Sequence, residues 1–186
     1  LKTEWLQAAD KATATTNAAL PSDAQVIGAV QRARAGTPTT LVCAAGGLPG
    51  ELHKLWKAVR PNGYHLEYGF STMGYEIAGG IGAKMAEPDR DVFVMVGDGS
   101  YLMMATELVT AVQENLKVIV VLVQNHGFAS IGHLSETVGA PRFGTWYRKY
   151  DAEASDFRTD EVLRYAPVER HRLINAALTD FTRRAG

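Results

Sequence analysis

Asp98 and Asn125 lie 27 positions apart, each just beyond a hydrophobic run that opens into a glycine-bearing turn. The first turn is Gly97-Asp98-Gly99-Ser100 and the second is Gln124-Asn125-His126-Gly127-Phe128. In a parallel sheet, adjacent strands place their C-terminal loops side by side, so this spacing predicts that a carboxylate and an amide oxygen meet at one point. Hard oxygen ligands on loops suit a magnesium or calcium ion that also holds a diphosphate. Glycines at 97 and 99 admit close backbone approach, and a helix starting there turns free N–H groups and its positive end toward an anion. An aspartate in that same turn repels a phosphate unless a cation bridges the two. An isolated Gly-Asp-Gly is a plain turn; its distance to Asn125 gives it chemical content.

Such a site needs strands ahead of the turns and helices behind them. Residues 91–96 are almost wholly apolar, as expected of a strand covered on both faces, and residues 117–123 (Lys-Val-Ile-Val-Val-Leu-Val) read as a second strand. Between them Leu102, Ala105, Leu108, Val109 and Val112 recur at helical spacing over 101–114, with Asn115 as the stop. Upstream, 39–44 is a β-rich run ending in Ala45-Gly46-Gly47, followed by a helical stretch through Trp56 and Val59. Residues 64–68 predict a short strand that breaks at 69–74. Residues 75–86 predict a helix of small residues that lets a neighbour come close, despite a cost of about 1 kcal/mol for each interior glycine. Ser22 and Gln25 have capping-box spacing, and Val26, Ile27 and Val30 share a face until Gly36.

Four strand-then-helix units in succession predict an α/β fold, an open parallel sheet with helices on both faces. The turns at 45–47, 69–74, 97–100 and 124–128 then gather along the carboxyl edge, where such folds bind ligands. Residues 125–150 mix glycine, proline and aromatics without periodicity and predict a long binding loop. The expected organisation is a linker or entry helix over 1–21, one domain over 22–158 and a helical tail over 159–186. In that tail Leu173, Ile174, Ala177, Leu178 and Phe181 make an apolar stripe.

A chain of 186 residues, 46% hydrophobic, can bury one sizeable core. Its net charge of −1 gives no broad attraction for nucleic acid or an anionic membrane. Cys43 is the single cysteine, so an internal disulfide is excluded and a reducing cytoplasm is the expected setting. No run reaches the roughly 18 apolar residues that span a bilayer. The histidines and Cys43 lack zinc spacing, and Ser130 lies outside a nucleophile-elbow context. An opening Leu1 in place of methionine reads as part of something longer.

Asp98 and Asn125 in these two turns resemble the thiamine-diphosphate motif, a Gly-Asp-Gly followed after about two dozen residues by Asn-Asn. The chain has Gln124 at the first of those asparagines. The resemblance implies a Mg2+ ion held by Asp98, Asn125 and the carbonyl of Gly127, with the diphosphate against Gly97, Gly99, Ser100 and Asn125. Thr72-Met73-Gly74-Tyr75 resembles the same family's Gly-Thr-Met-Gly segment, with Ser71 where glycine is usual. By that likeness Met73 wedges the cofactor into a bent shape, main-chain groups at Ser71 and Met73 hold the pyrimidine, and Gly46 and Gly47 lie where relatives contact the diphosphate.

The runs 43–56, 65–80 and 143–148 are similar to the trihydroxycyclohexanedione hydrolases of myo-inositol catabolism, a likeness that covers 22–158. That family opens 3D-(3,5/4)-trihydroxycyclohexane-1,2-dione with water, giving 5-deoxy-glucuronate. The resemblance further implies a homodimer or homotetramer, and a pyrimidine-binding domain, from an upstream chain or a second subunit, whose glutamate activates the cofactor. Glu67, Glu76 and Glu107 are on the wrong domain for that role. No residue is assigned as catalytic; His126, beside the ligand position, and His133, in the following loop, are the candidates to face substrate. Alternatives are an acetolactate-synthase-like lyase, a split decarboxylase subunit, and a cofactor-binding and assembly module inactive on its own.

Overall fold

The computed structural model describes residues 1–17 and 19–158, so the apolar stripe at 173–181 lies outside the described residues. The chain forms two compact units, one over residues 1–123 and a second beginning at Gln124.

The first unit is built on strands β1 (Thr39–Cys43), β2 (Tyr64–Leu66), β3 (Asp91–Gly97) and β4 (Val118–Val123), all parallel, in the order β2-β1-β3-β4. Alternate side chains of the β-branched runs face opposite layers. Leu41, Cys43, Phe93 and Met95 pack on one face with α2 (Asp23–Ala33) and α3 (Leu48–Leu55), through Ile27, Val30, Leu52 and Leu55. Val42, Val92, Val94 and Val96 pack on the other with Ile77 and Ile81 of α4 (Tyr75–Ala86). The predicted sheet with helices on both faces is therefore present. Each buried aliphatic side chain contributes about 1.5–3 kcal/mol. Gly80 shows why α4 is made of small residues: a Cβ there would stand 2.2 Å from the Val94 Cγ2.

Ser22 and Gln25 form the predicted capping box, with Gln25 Oε1 accepting from the Ser22 N–H at 2.9 Å. Residues Lys2–Ala12 form α1, which joins the first core layer through Ala9. The Thr13 carbonyl after it accepts from Arg32 Nη1 at 2.7 Å, over Gly28, where a side chain would collide with that carbonyl.

Three expectations are corrected. The helix after β1 ends at Leu55, and Trp56 is extended, because Arg34 stacks over its ring at 4.2 Å and donates to the Lys57 carbonyl. The helix expected over 101–114 starts earlier and is broken: α5 (Asp98–Met104), a 3-10 turn (Ala105–Glu107) and α6 (Leu108–Gln113). The break falls where Met103 and Met104 close on Gly74. Residues 125–150 are not one long loop, for α7 (Ala129–Thr137) occupies their first half.

In the second unit Gly127 bridges antiparallel to Trp146, and the Phe128 N–H donates to the Thr145 carbonyl at 2.8 Å. A Cβ on Gly127 would lie 2.3 Å from that carbonyl oxygen, so only glycine fits. Arg142 pairs with Glu136 through two bonds of 2.5 and 2.7 Å and covers the Trp146 ring at 4.9 Å. A short hairpin, β5 (Lys149–Asp151) with β6 (Asp156–Arg158), follows.

Candidate cofactor and metal site

Strand order sets the switch point of the sheet. The chain runs from β1 outward to β2 and returns across β1 to β3, so the topological switch lies between β1 and β3, where open α/β sheets bind ligands at the carboxyl ends. Ala45-Gly46-Gly47 leaves β1 at this crevice, and Asp98-Gly99-Ser100 leaves β3. Asp98 is 6% exposed, and its Oδ1 accepts from the Gly99 N–H at 2.9 Å. Gly46, Gly47 and Gly97 have open space beside the Cα, enough that an added Cβ would touch nothing. Main chain is thus bare at both strand ends, and the Asp98 carboxylate directly after β3 is a hard oxygen donor.

The turn ahead of α4 is shaped by its own polar groups. Glu67 accepts from the Thr72 N–H at 2.7 Å and the Phe70 N–H at 3.2 Å, and these bonds hold its carboxyl below the usual carboxylate range. Ser71 has φ +52°, a left-handed conformation that glycine adopts freely and that costs serine about 1–2 kcal/mol. Met73 is half-buried, and Gly74, at φ +92°, has the Met104 Cγ where a side chain would go.

The feature that sequence reasoning missed is Glu76, which is wholly buried. Its Oε1 accepts from the Ser100 hydroxyl at 2.9 Å and the Ala45 N–H at 3.5 Å; its Oε2 lies 2.8 Å from the same hydroxyl and 3.1 Å from the Gly74 N–H. The signal available was an acid in the first turn of a helix directly before Ile77, with small residues Ala78, Gly79 and Gly80 after it. Burial, with the charge of Glu76 adding to it, pushes the Cys43 thiol up to about 12, so Cys43 is an inert core residue.

In the second unit Asn125 is exposed, His126 is half-buried at φ +69° and Gly127 is buried at φ +139°. Gln124 Nε2 lies 3.4 Å from His126 Nδ1. Among the described residues no three His, Cys, Asp or Glu side chains converge on a metal position, and the expected set, one carboxylate with an amide and a carbonyl, is not of that kind. No helix among the described residues is long and apolar enough to cross a membrane.

Residues 44–173 match the family described as thiamine pyrophosphate enzyme, C-terminal TPP binding domain. The chain belongs to this family. The open glycine turns and Asp98 thus sit in a thiamine-pyrophosphate-binding domain, on the sheet edge where its fold binds ligands. Among curated proteins the chain is 52% identical over 113 residues to proteins named 3D-(3,5/4)-trihydroxycyclohexane-1,2-dione hydrolase from Bacillus thuringiensis (strain Al Hakam) and Bacillus cereus (strain AH820). The matched stretch is 61% of this chain and 18% of each relative's length. Among solved structures it is similar in fold to the Rhodococcus jostii RHA1 thiamine diphosphate-dependent 4-hydroxybenzoylformate decarboxylase. That likeness has a TM-score of 0.64 at 21% identity, over 80% of this chain and 30% of that one.

Proposed function

We propose that the chain is the diphosphate-binding part of a thiamine-diphosphate-dependent hydrolase that opens 3D-(3,5/4)-trihydroxycyclohexane-1,2-dione to 5-deoxy-glucuronate, a step of cytoplasmic inositol catabolism. The 52% identity to relatives named for that substrate carries this reading. The bond between the two carbonyl carbons breaks; the hydroxyl of water goes to one, giving a carboxylate, and its hydrogen to the other, giving an aldehyde. Bound thiamine diphosphate supplies a nucleophilic carbon and an electron sink for this cleavage.

The chain's own residues bind and orient. Asp98, Asn125 and the Gly127 carbonyl are the proposed oxygen ligands of Mg2+. The spacing of the two turns in the sequence supports this set, with Asp98 directly after Gly97 and Asn125 two positions after Val123. Main chain at Gly46, Gly47, Gly97, Gly99 and Ser100 receives the diphosphate, and Ser71 and Met73 receive the pyrimidine, all within one domain over 22–158. The glutamate that activates the pyrimidine comes from a pyrimidine-binding domain of a longer chain or a second subunit, in a homodimer or homotetramer. In support, Glu67 and Glu76 are engaged by turns of their own unit, and Glu107 accepts from the Thr110 hydroxyl at 3.3 Å.

Thermal unfolding with thiamine diphosphate plus Mg2+, with each alone, and for Asp98→Ala tests the site. Stabilisation of about 2.7 kcal/mol at a hundredfold excess over Kd is expected, requiring both ligands and absent from the variant. A wild-type protein that gains nothing overturns cofactor binding. With the pyrimidine-binding domain present, ring opening of the dione identifies the hydrolase, and turnover of 2-keto acids in its place overturns it.

A further inference from the structure

Glu76 buries its carboxylate completely, and among the described residues no cation pairs with it. Stripping a carboxylate of water costs several kcal/mol, and here the compensation is a set of donors from three separate places in the chain. Ala45 follows β1, Gly74 precedes α4 and Ser100 follows β3. Two of the three flank the switch point between β1 and β3.

We propose that Glu76 is a positioning residue for the cofactor edge, fixing the diphosphate turn at 98–100 relative to the turns at Ala45 and Gly74. The proposal rests on the cofactor reading above. A carboxylate suits the place because it accepts on two oxygens and donates on neither. Glutamine would turn an N–H group toward another donor, and aspartate is one methylene short. The tie is rigid at its helical end, since Gly80 seats α4 directly on Val94. It is rigid at its far end too, since Gly74 is closed in by Met103 and Met104, and its N–H also donates to Ser100 Oγ at 2.8 Å. The Ser100 hydroxyl is directed at Glu76, so the side chain at the third position of this turn is committed to the tie.

The test is calorimetric titration of thiamine diphosphate in saturating Mg2+ into the wild-type protein, Glu76→Gln, Ser100→Ala and the double variant, with the melting temperature of each ligand-free protein. Each single substitution is expected to weaken binding about tenfold or more, the scale of a lost hydrogen bond to a charged group. The double variant should bind within about twofold of the weaker single one, because both remove the same link. Ligand-free melting temperatures should not follow the affinities. Affinities within twofold of wild type, losses that multiply, or losses that parallel the melting temperature overturn the proposal. If Glu76→Gln does not fold, Ser100→Ala decides by the same affinity criterion. A wild-type protein that does not bind overturns the cofactor reading itself, a separate outcome.

Discussion

Leu52 in α3 and Leu134 in α7 both belong to helices that follow a strand and a glycine-bearing turn, yet Leu52 is 1% exposed and Leu134 is 63% exposed. The first region is held by side chains: Leu48, Leu52 and Leu55 enter the core beside the sheet. The second is held by main chain and charge. Gly132 is the buried residue of α7, its N–H bonds the Phe128 carbonyl at 2.9 Å, and Glu136 beyond it pairs with Arg142. Two helices in similar sequence settings therefore stay folded by different forces, and only one of them writes its burial into an apolar stripe.

Paired substitutions probe that contrast. Leu52→Ala should cost about 2–5 kcal/mol in urea unfolding, whereas Leu134→Ala should stay within about 0.5 kcal/mol; equal losses would break the distinction. Glycines sharpen it next. Gly127→Ala, strained at φ +139° and overlapping the Thr145 carbonyl, should cost about 2–4 kcal/mol and deprotect the Phe128 amide in hydrogen exchange. Gly46→Ala has φ +95° and free space, so about 1–2 kcal/mol is expected.

A smaller difference lies in the caps. Ser22→Ala should remove about 1 kcal/mol through the α2 box, while α7 starts at Phe128 with no side-chain cap to remove.

The smallest effect is the pH response of Glu136. Hydrogen bonding from Arg142 holds its carboxyl below the usual carboxylate range. Its contribution is complete above the unfolded value of about 4.3 and is lost as pH falls through the lower folded value. An NMR titration should show Arg142→Ala moving Glu136 up toward its ordinary range, with His133 still holding it down in part.

The same contrast explains what was legible in the sequence. The run at 91–96 showed its burial in composition, the run at 118–123 showed its strand, and Ser22 with Gln25 announced a helix start through local chemistry. The parallel pairing of β3 with β4 was readable because two apolar runs joined by a helical stretch fix it as repetitive geometry. By contrast, α7 left no trace, since Ile131 and Leu134 are exposed and its close contact is made by a glycine. The helix break at 105–107 depends on how Met103 and Met104 meet Gly74, a contact between residues about thirty apart. Glu76 was visible as an acid and illegible as a tie, because its three donors are separated by 24 to 31 positions on either side or lie in the adjoining turn.

That tie has an evolutionary consequence. A carboxylate at 76 is tolerable only while position 100 keeps a hydroxyl, and a hydroxyl at 100 is worth keeping only while an acceptor stands at 76. Sequences that drift at one of these positions should drift at the other. A homologue with glycine or alanine at 76 should carry a different way of closing the crevice between β1 and β3, and grafting Glu76 into it alone should strand a charge instead of transferring a fold feature.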